Sequence, residues 1–194
     1  MKGAQVNIYR IACQVTVALA IAAPGLVAQR TVPLTLEMIV GDAGTIVHCR
    51  VAGTETGRDP VSGLLVTWVT VDVRENFYGA PGMRFTFKQY GGEADGIVFR
   101  PADLPSYAKG EEMVLMLYPP AKTTGMQSPV GLGQGKFVVK ATGNDGRKSV
   151  TQAVSTGALL KGMQNTRIKR GAGETMDFDS FTGTVRTLVR QVKN

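Results

Sequence analysis

The stretch PVGLGQGKF, residues 129–137, places glycines at 131, 133 and 135 directly ahead of Lys136. That order invites comparison with phosphate-binding loops, where backbone N–H groups at a helix start cradle the phosphate and a lysine adds charge. A Walker loop needs a glycine five positions before Gly135 and a hydroxyl residue after the lysine, but Val130 and Phe137 stand there. A dinucleotide fingerprint starting at Gly131 needs a third glycine where Lys136 stands. Both motifs also open a helix, whereas Phe137, Val139 and Ala141 continue with the period of a strand. The glycines therefore predict a tight corner or bulge, and Lys136 is expected to be a solvated side chain at the start of a strand.

Other chemistry-bearing residues are few. His48 is the sole histidine, and Cys49, its neighbour, falls on the opposite face of a strand, so the two cannot form a dyad. A zinc site wants about four nitrogen and sulfur ligands, or three plus water, and the chain does not supply them. No serine nucleophile-elbow pattern is present. Glu111 and Glu112 are adjacent on a predicted strand edge, so their carboxylates diverge, while Glu93 and Asp95 share one side of a glycine-flanked loop. No catalytic residue, metal ligand or cofactor site is expected from these patterns.

The elements that must position these residues are mostly strands. Thr35 is an N-cap candidate for a short helix carrying Leu36, Ile39 and Val40 and ending near Gly41. Alternation of period two then runs through Thr45–Val51, Leu65–Val73 and Met83–Lys88. Met113–Tyr118 is apolar on both faces and predicts a more central strand. Lys136–Ala141 and Ser149–Val154 flank Gly143-Asn144-Asp145-Gly146, a hairpin signal. Residues 155–176 hold glycines and basic residues with few bulky apolar ones and are expected to be a linker or a partly ordered excursion. From 177 to 194 the spacing turns helical, with Phe178, Phe181, Val185, Leu188, Val189 and Val192 on one stripe and Asp177 or Asp179 as cap. That helix is expected to dock on the β-barrel, the rival being a detachable amphipathic arm that meets a membrane or a partner.

Residues 1–28 have the layout of a signal peptide. Lys2 and Arg10 precede an apolar run from Ile11 to Ala28 that is broken at Pro24-Gly25 and ends in Leu26-Val27-Ala28. An uncleaved anchor is the alternative, since about 18 apolar residues can just span a bilayer. Cleavage removes Cys13 and leaves Cys49 as a single thiol, which excludes an internal disulfide. Cys49 then reads as a small buried hydrophobe, with an intermolecular disulfide as the alternative. The net charge of +7 is unevenly spread: residues 29–160 carry thirteen basic and twelve acidic side chains, while residues 161–194 carry seven and three. The basic excess belongs to the C-terminal segment.

The succession LTLEMIVGDAGTIVHCRV, TWVTVDV, YGGEADG, KGEEMVLML and PVGLGQGKFVV, over roughly residues 35–192, resembles a set of uncharacterised secreted bacterial proteins. Their arrangement is similar to the netrin-like barrel of the tissue inhibitors of metalloproteases, a five-stranded oligonucleotide/oligosaccharide-binding type of fold. The resemblance implies a mainly β protein: a small antiparallel barrel over residues 29–154, with a short N-terminal helix and a C-terminal amphipathic helix. Those inhibitors chelate their target's zinc with an N-terminal cysteine. Here the expected mature end, near Gln29, Arg30 and Thr31, has none, so that mechanism does not carry over.

Together these readings point to an exported protein, periplasmic or extracellular, that acts as a non-enzymatic binding module through contacts with another protein. An envelope-associated structural or assembly protein, attached through the terminal helix or Cys49, is the second reading. A hydrolytic enzyme with dispersed polar residues is a third. Trp68, Tyr90, Arg186, Arg190 and Lys193 are the candidate interaction residues. Trp68 and Tyr90 would be the stacking platforms that single-stranded nucleic acid requires, but export makes nucleic acid a poor partner. Membrane contact would be available only through the C-terminal helix.

Overall fold

The computed structural model describes residues 32–102, 104–143, 146–163, 168–171 and 174–193. The proposed signal peptide and the tip of the Gly143–Gly146 turn lie outside the described residues. The fold is mainly β. Helix α1 (Leu36–Asp42) is followed by β1 (Thr45–Arg58), β2 (Leu65–Tyr78), β3 (Arg84–Tyr90), β4 (Gly92–Ala94), β5 (Ile97–Phe99), β6 (Glu112–Leu117), β7 (Lys136–Ala141), β8 (Lys148–Gln152), β9 (Met176–Asp177) and helix α2 (Phe178–Val192). Seven strands form one sheet in the order β3-β2-β1-β6-β7-β8-β9, every pairing antiparallel, and β4 and β5 form a separate hairpin.

Alternation along the strands divides the apolar residues between two cores. Ile46 of β1, Val114 and Met116 of β6, Phe137 and Val139 of β7 and Val150 of β8 face the helices. Val47, Cys49 and Val51 of β1 face the other way, with Met113, Leu115 and Leu117 of β6, Val69, Val71 and Val73 of β2 and Phe87 of β3. The strand read as apolar on both faces, β6, contributes to both cores, as does β1.

Both helices begin where their caps place them. The Thr35 hydroxyl accepts a hydrogen bond from Met38 N, and the Asp177 carboxylate accepts one from Ser180 N at 2.9 Å. The stripe of α2 is packed down: Phe181 and Val185 are fully buried, Leu188 nearly so, and the Phe181 ring centroid lies 4.8 Å from that of Phe137. Each large side chain buried in this way contributes about 1.5–3 kcal/mol. Polar contacts fix the orientation. Arg186 makes a bidentate pair with Glu75 (2.7 and 2.8 Å), and Lys193 donates to the carbonyls of Gly41 and Ala43 at the end of α1 (both 2.7 Å). Unpaired carbonyls at a helix C-terminus are good acceptors for a lysine.

The expected linker contributes to this core as well. Leu159, Ile168 and Met176 are buried in the helix-side cluster, and Leu36 N donates to Leu159 O at 2.7 Å. Among the described residues no helix is long and apolar enough to cross a membrane.

Candidate functional site

His48 and Cys49 point to opposite sides of β1, as their adjacency on a strand requires. Cys49 is sealed in the core facing away from the helices, where burial, reinforced by Glu111 and Glu112, pushes its thiol up to about 12. It is a free, buried cysteine with little thiolate character. His48 lies on the helix side. Its Nε2 is 2.7 Å from Glu112 Oε1, Lys148 Nζ lies 2.6 Å from the same oxygen, and its ring sits 4.8 Å from that of Phe178. Burial alone would raise the Glu112 carboxyl, but hydrogen bonds from Lys148 and His48 outweigh it and hold the group below the usual range. This cluster ties β1, β6, β8 and the start of α2 together.

Lys136 departs from its expected exposure. It is buried, not solvated, with its ammonium 2.8 Å from a Glu111 carboxylate oxygen, 2.7 Å from the Ser106 carbonyl and 4.7 Å from the centre of the Tyr107 ring. The sequence shows a lysine at a strand start but not that Glu111, on β6's approach, lies beside it. The glycine-rich stretch before it is a structural corner. Gly131 and Leu132 both take left-handed backbone angles (φ +61° and +64°), and a Cβ added to Gly135 would lie 2.6 Å from the Met116 carbonyl oxygen. Gln134 is fully buried, its side chain accepting from Leu34 N and donating to Val32 O (both 2.9 Å), so it clamps the incoming chain.

A larger concavity lies elsewhere. A groove of about 540 Å³ is floored by Thr54 and Thr56 of β1, Thr67 of β2 and Gln89 of β3, a size that suits a small ligand or a short chain segment. One wall is the segment Leu104–Tyr107, held by the Lys136 contacts and by Gln89, whose amide donates to Pro105 O (3.0 Å) and whose oxygen accepts from Tyr107 OH (3.3 Å). The other side is the β4–β5 hairpin, turned tightly through Asp95 and Gly96, both at positive φ. Tyr90 and Phe99 stack at the lip with ring centroids 5.1 Å apart. Ile97, Val98 and Phe99 are 53%, 54% and 40% exposed, so three successive apolar side chains face solvent beside the groove. Among the described lining residues, Glu93 and Arg100 are the charged ones.

Of the candidate interaction residues, Tyr90 belongs to this groove. Trp68 does not line it: it is half-buried on the opposite face of β2 from Thr67, over Gly57, where an added Cβ would come 3.1 Å from the indole. Arg186 and Lys193 are engaged within the chain, and Lys193 also lies 5.0 Å from the Tyr78 ring centre. Arg190 is exposed and takes part in none of the described ion pairs. The hairpin residues Ile97, Val98 and Phe99 were missed by sequence reasoning. An apolar triplet directly after Asp95-Gly96 is the signal that could have found them.

Among the described residues no group of three or more histidine, cysteine, aspartate or glutamate side chains is placed to hold a metal ion. Comparison with family models, with curated proteins and with solved structures gives no match.

Proposed function

We propose that the chain is an exported, non-enzymatic binding module that recognises a partner protein through the groove and the β4–β5 hairpin. The observation that carries this reading is the exposed run Ile97–Val98–Phe99 beside a groove whose described lining residues are mostly uncharged. Clustered apolar exposure is characteristic of interaction sites. Export rests on the layout of residues 1–28.

In the same reading the sheet is a partly closed barrel of the netrin-like or oligonucleotide/oligosaccharide-binding type. Two isolated bridges support it: Lys88 with Met126, parallel, and Leu117 with Pro129, antiparallel. Gln127 N donates to Lys88 O (2.7 Å) and Tyr118 N to Ser128 O (3.0 Å), so one short stretch touches β3 and the end of β6, the two extremes of the run β3-β2-β1-β6.

Site-specific photo-crosslinking in the native cells tests the reading. A photoreactive residue at position 97 should capture one discrete partner protein, and one at Met38, exposed on α1, should not. Phe99→Asp should abolish the capture. Equal labelling from both positions, or no adduct at either, would overturn the proposal.

A further inference from the structure

From Thr45 to Val51, β1 has a neighbour on each edge, β2 on one and β6 on the other. The β6 side ends where Val51 N donates to Glu111 O (2.9 Å) and Gly110 N donates to Val51 O (2.8 Å). A register shift follows between Val51 and Gly53, and β1 then continues to Arg58 hydrogen-bonded to β2. The β4–β5 hairpin packs against this part of β1, where a Cβ on Gly92 would lie 3.4 Å from Thr56 Cβ and Arg58 pairs with Asp95 at 3.2 Å.

Ladder alternation decides where each backbone group beyond Val51 points. Gly91 N donates to Leu65 O, so Leu65, Thr67 and Val69 bond toward β3, while Val66, Trp68 and Thr70 bond toward β1. The β1 partners of the latter are Gly57, Glu55 and Gly53. Thr54 and Thr56, between them, therefore turn their N–H and C=O groups to the side that β6 has left. No described backbone hydrogen bond reaches these groups from that side. Both threonines are exposed, and both floor the groove.

We infer that the open edge of β1 at Thr54 and Thr56 receives an extended, uncharged polypeptide segment of the partner protein, which adds to the sheet as a strand in continuation of β6. The inference rests on the protein-binding reading above and names the chemistry of its partner. Donors and acceptors repeating at every second residue along an edge match another polypeptide backbone. The slot lies on the same edge of β1 that β6 occupies from Thr45 to Arg50, past the irregularity between Val51 and Gly53. The charge pattern agrees, since the described lining residues carry one carboxylate and one guanidinium, which offset each other. The stacked pair Tyr90–Phe99 at the lip offers an apolar seat for a side chain of the added strand.

The probe is a phage-displayed library of random peptides about ten residues long, the upper end of common strand lengths, selected on the exported protein. The best binder is then remade with N-methyl groups on alternate backbone nitrogens, in each of the two possible registers. One register should weaken binding about tenfold or more by removing ladder hydrogen bonds, and the other should change it little. Hydrogen exchange at the Thr54 and Thr56 amides should slow on binding. Thr54→Pro should weaken binding, and if that variant does not fold, the methylated peptides decide alone. Indifference to N-methylation in both registers, protection elsewhere, or a library with no binder would each overturn the inference. So would neutral oligosaccharide binding that Thr54→Val or Thr56→Val removes. A partner captured from position 97 while Thr54 and Thr56 stay unprotected sinks this inference and leaves the protein-binding reading standing. Capture failing at position 97 sinks that reading itself.

Discussion

Removing the Lys136 side chain would leave the Glu111 carboxylate facing Tyr107 with its main partner gone. Both groups are largely withdrawn from water, Lys136 with 5% of its side chain exposed and Glu111 with 20%. Breaking one side of a buried pair is costly because the remaining charge is uncompensated. Lys136→Ala should therefore destabilise the protein by about 3 kcal/mol in urea denaturation. The pair Lys136→Met with Glu111→Gln should recover most of that loss, since no charge is then stranded. A change under about 0.5 kcal/mol, the usual size for a surface lysine, would mean that Lys136 is solvated after all. Nothing near Lys136 in the chain signals this burial: Glu111, Tyr107 and the Ser106 carbonyl come from a segment 25 to 30 residues earlier. By contrast, the divergence of His48 and Cys49 was legible, because strand geometry alone forces it.

Helix α2 couples several elements at once. Its buried stripe meets β7 through Phe181, its Arg186 reaches Glu75 of β2, and its Lys193 closes the end of α1. Leu188→Asp should destabilise the whole domain by about 3 kcal/mol or more, because an unpaired carboxylate would enter an apolar site. Val192→Asp on the same stripe, at a residue 40% exposed, should cost less than about 1 kcal/mol. Thermal and urea unfolding of both variants check the contrast, and similar losses for the two would argue against docking through Leu188. The helix and its Asp177 cap were readable from period and composition. The strands β1 and β2 were readable only in their first halves. Beyond Val51 the residues AGTETGR lose apolar alternation, and it is pairing with β2 that keeps them extended. The three-residue strands β4 and β5 and the two-residue β9 are too short to show a period.

At the scale of the molecule, Asp59, Glu112 and Asp177 are carboxylates held below their ordinary range by native contacts. Asp59 is lowered from 3.8 to about 2, first by the hydrogen bond from Lys88 and then by Ser62. Asp177 is lowered chiefly by the Ser180 backbone N–H. Glu112 is lowered by Lys148 and His48 against the opposing effect of burial. A carboxyl whose folded pKa is depressed binds protons more readily in the unfolded chain, so its contribution is full above the unfolded value and is lost as pH falls through the folded one. The urea midpoint should thus fall as pH drops from about 4.5 towards 2. Asp59→Asn should flatten the lower part of that decline, and an unchanged slope in the variant would remove Asp59 as a source of acid sensitivity. Local order alone determined the β-rich class, the two helices, their caps and the faces of the strand segments that alternate, because periodicity and capping are properties of neighbours in the chain. The partner of Lys136, the packing of residues 155–176 and the groove between β1, the β4–β5 hairpin and Leu104–Tyr107 were decided by the folded chain. Each depends on groups far apart in sequence being brought together, and no local pattern records which distant segment arrives.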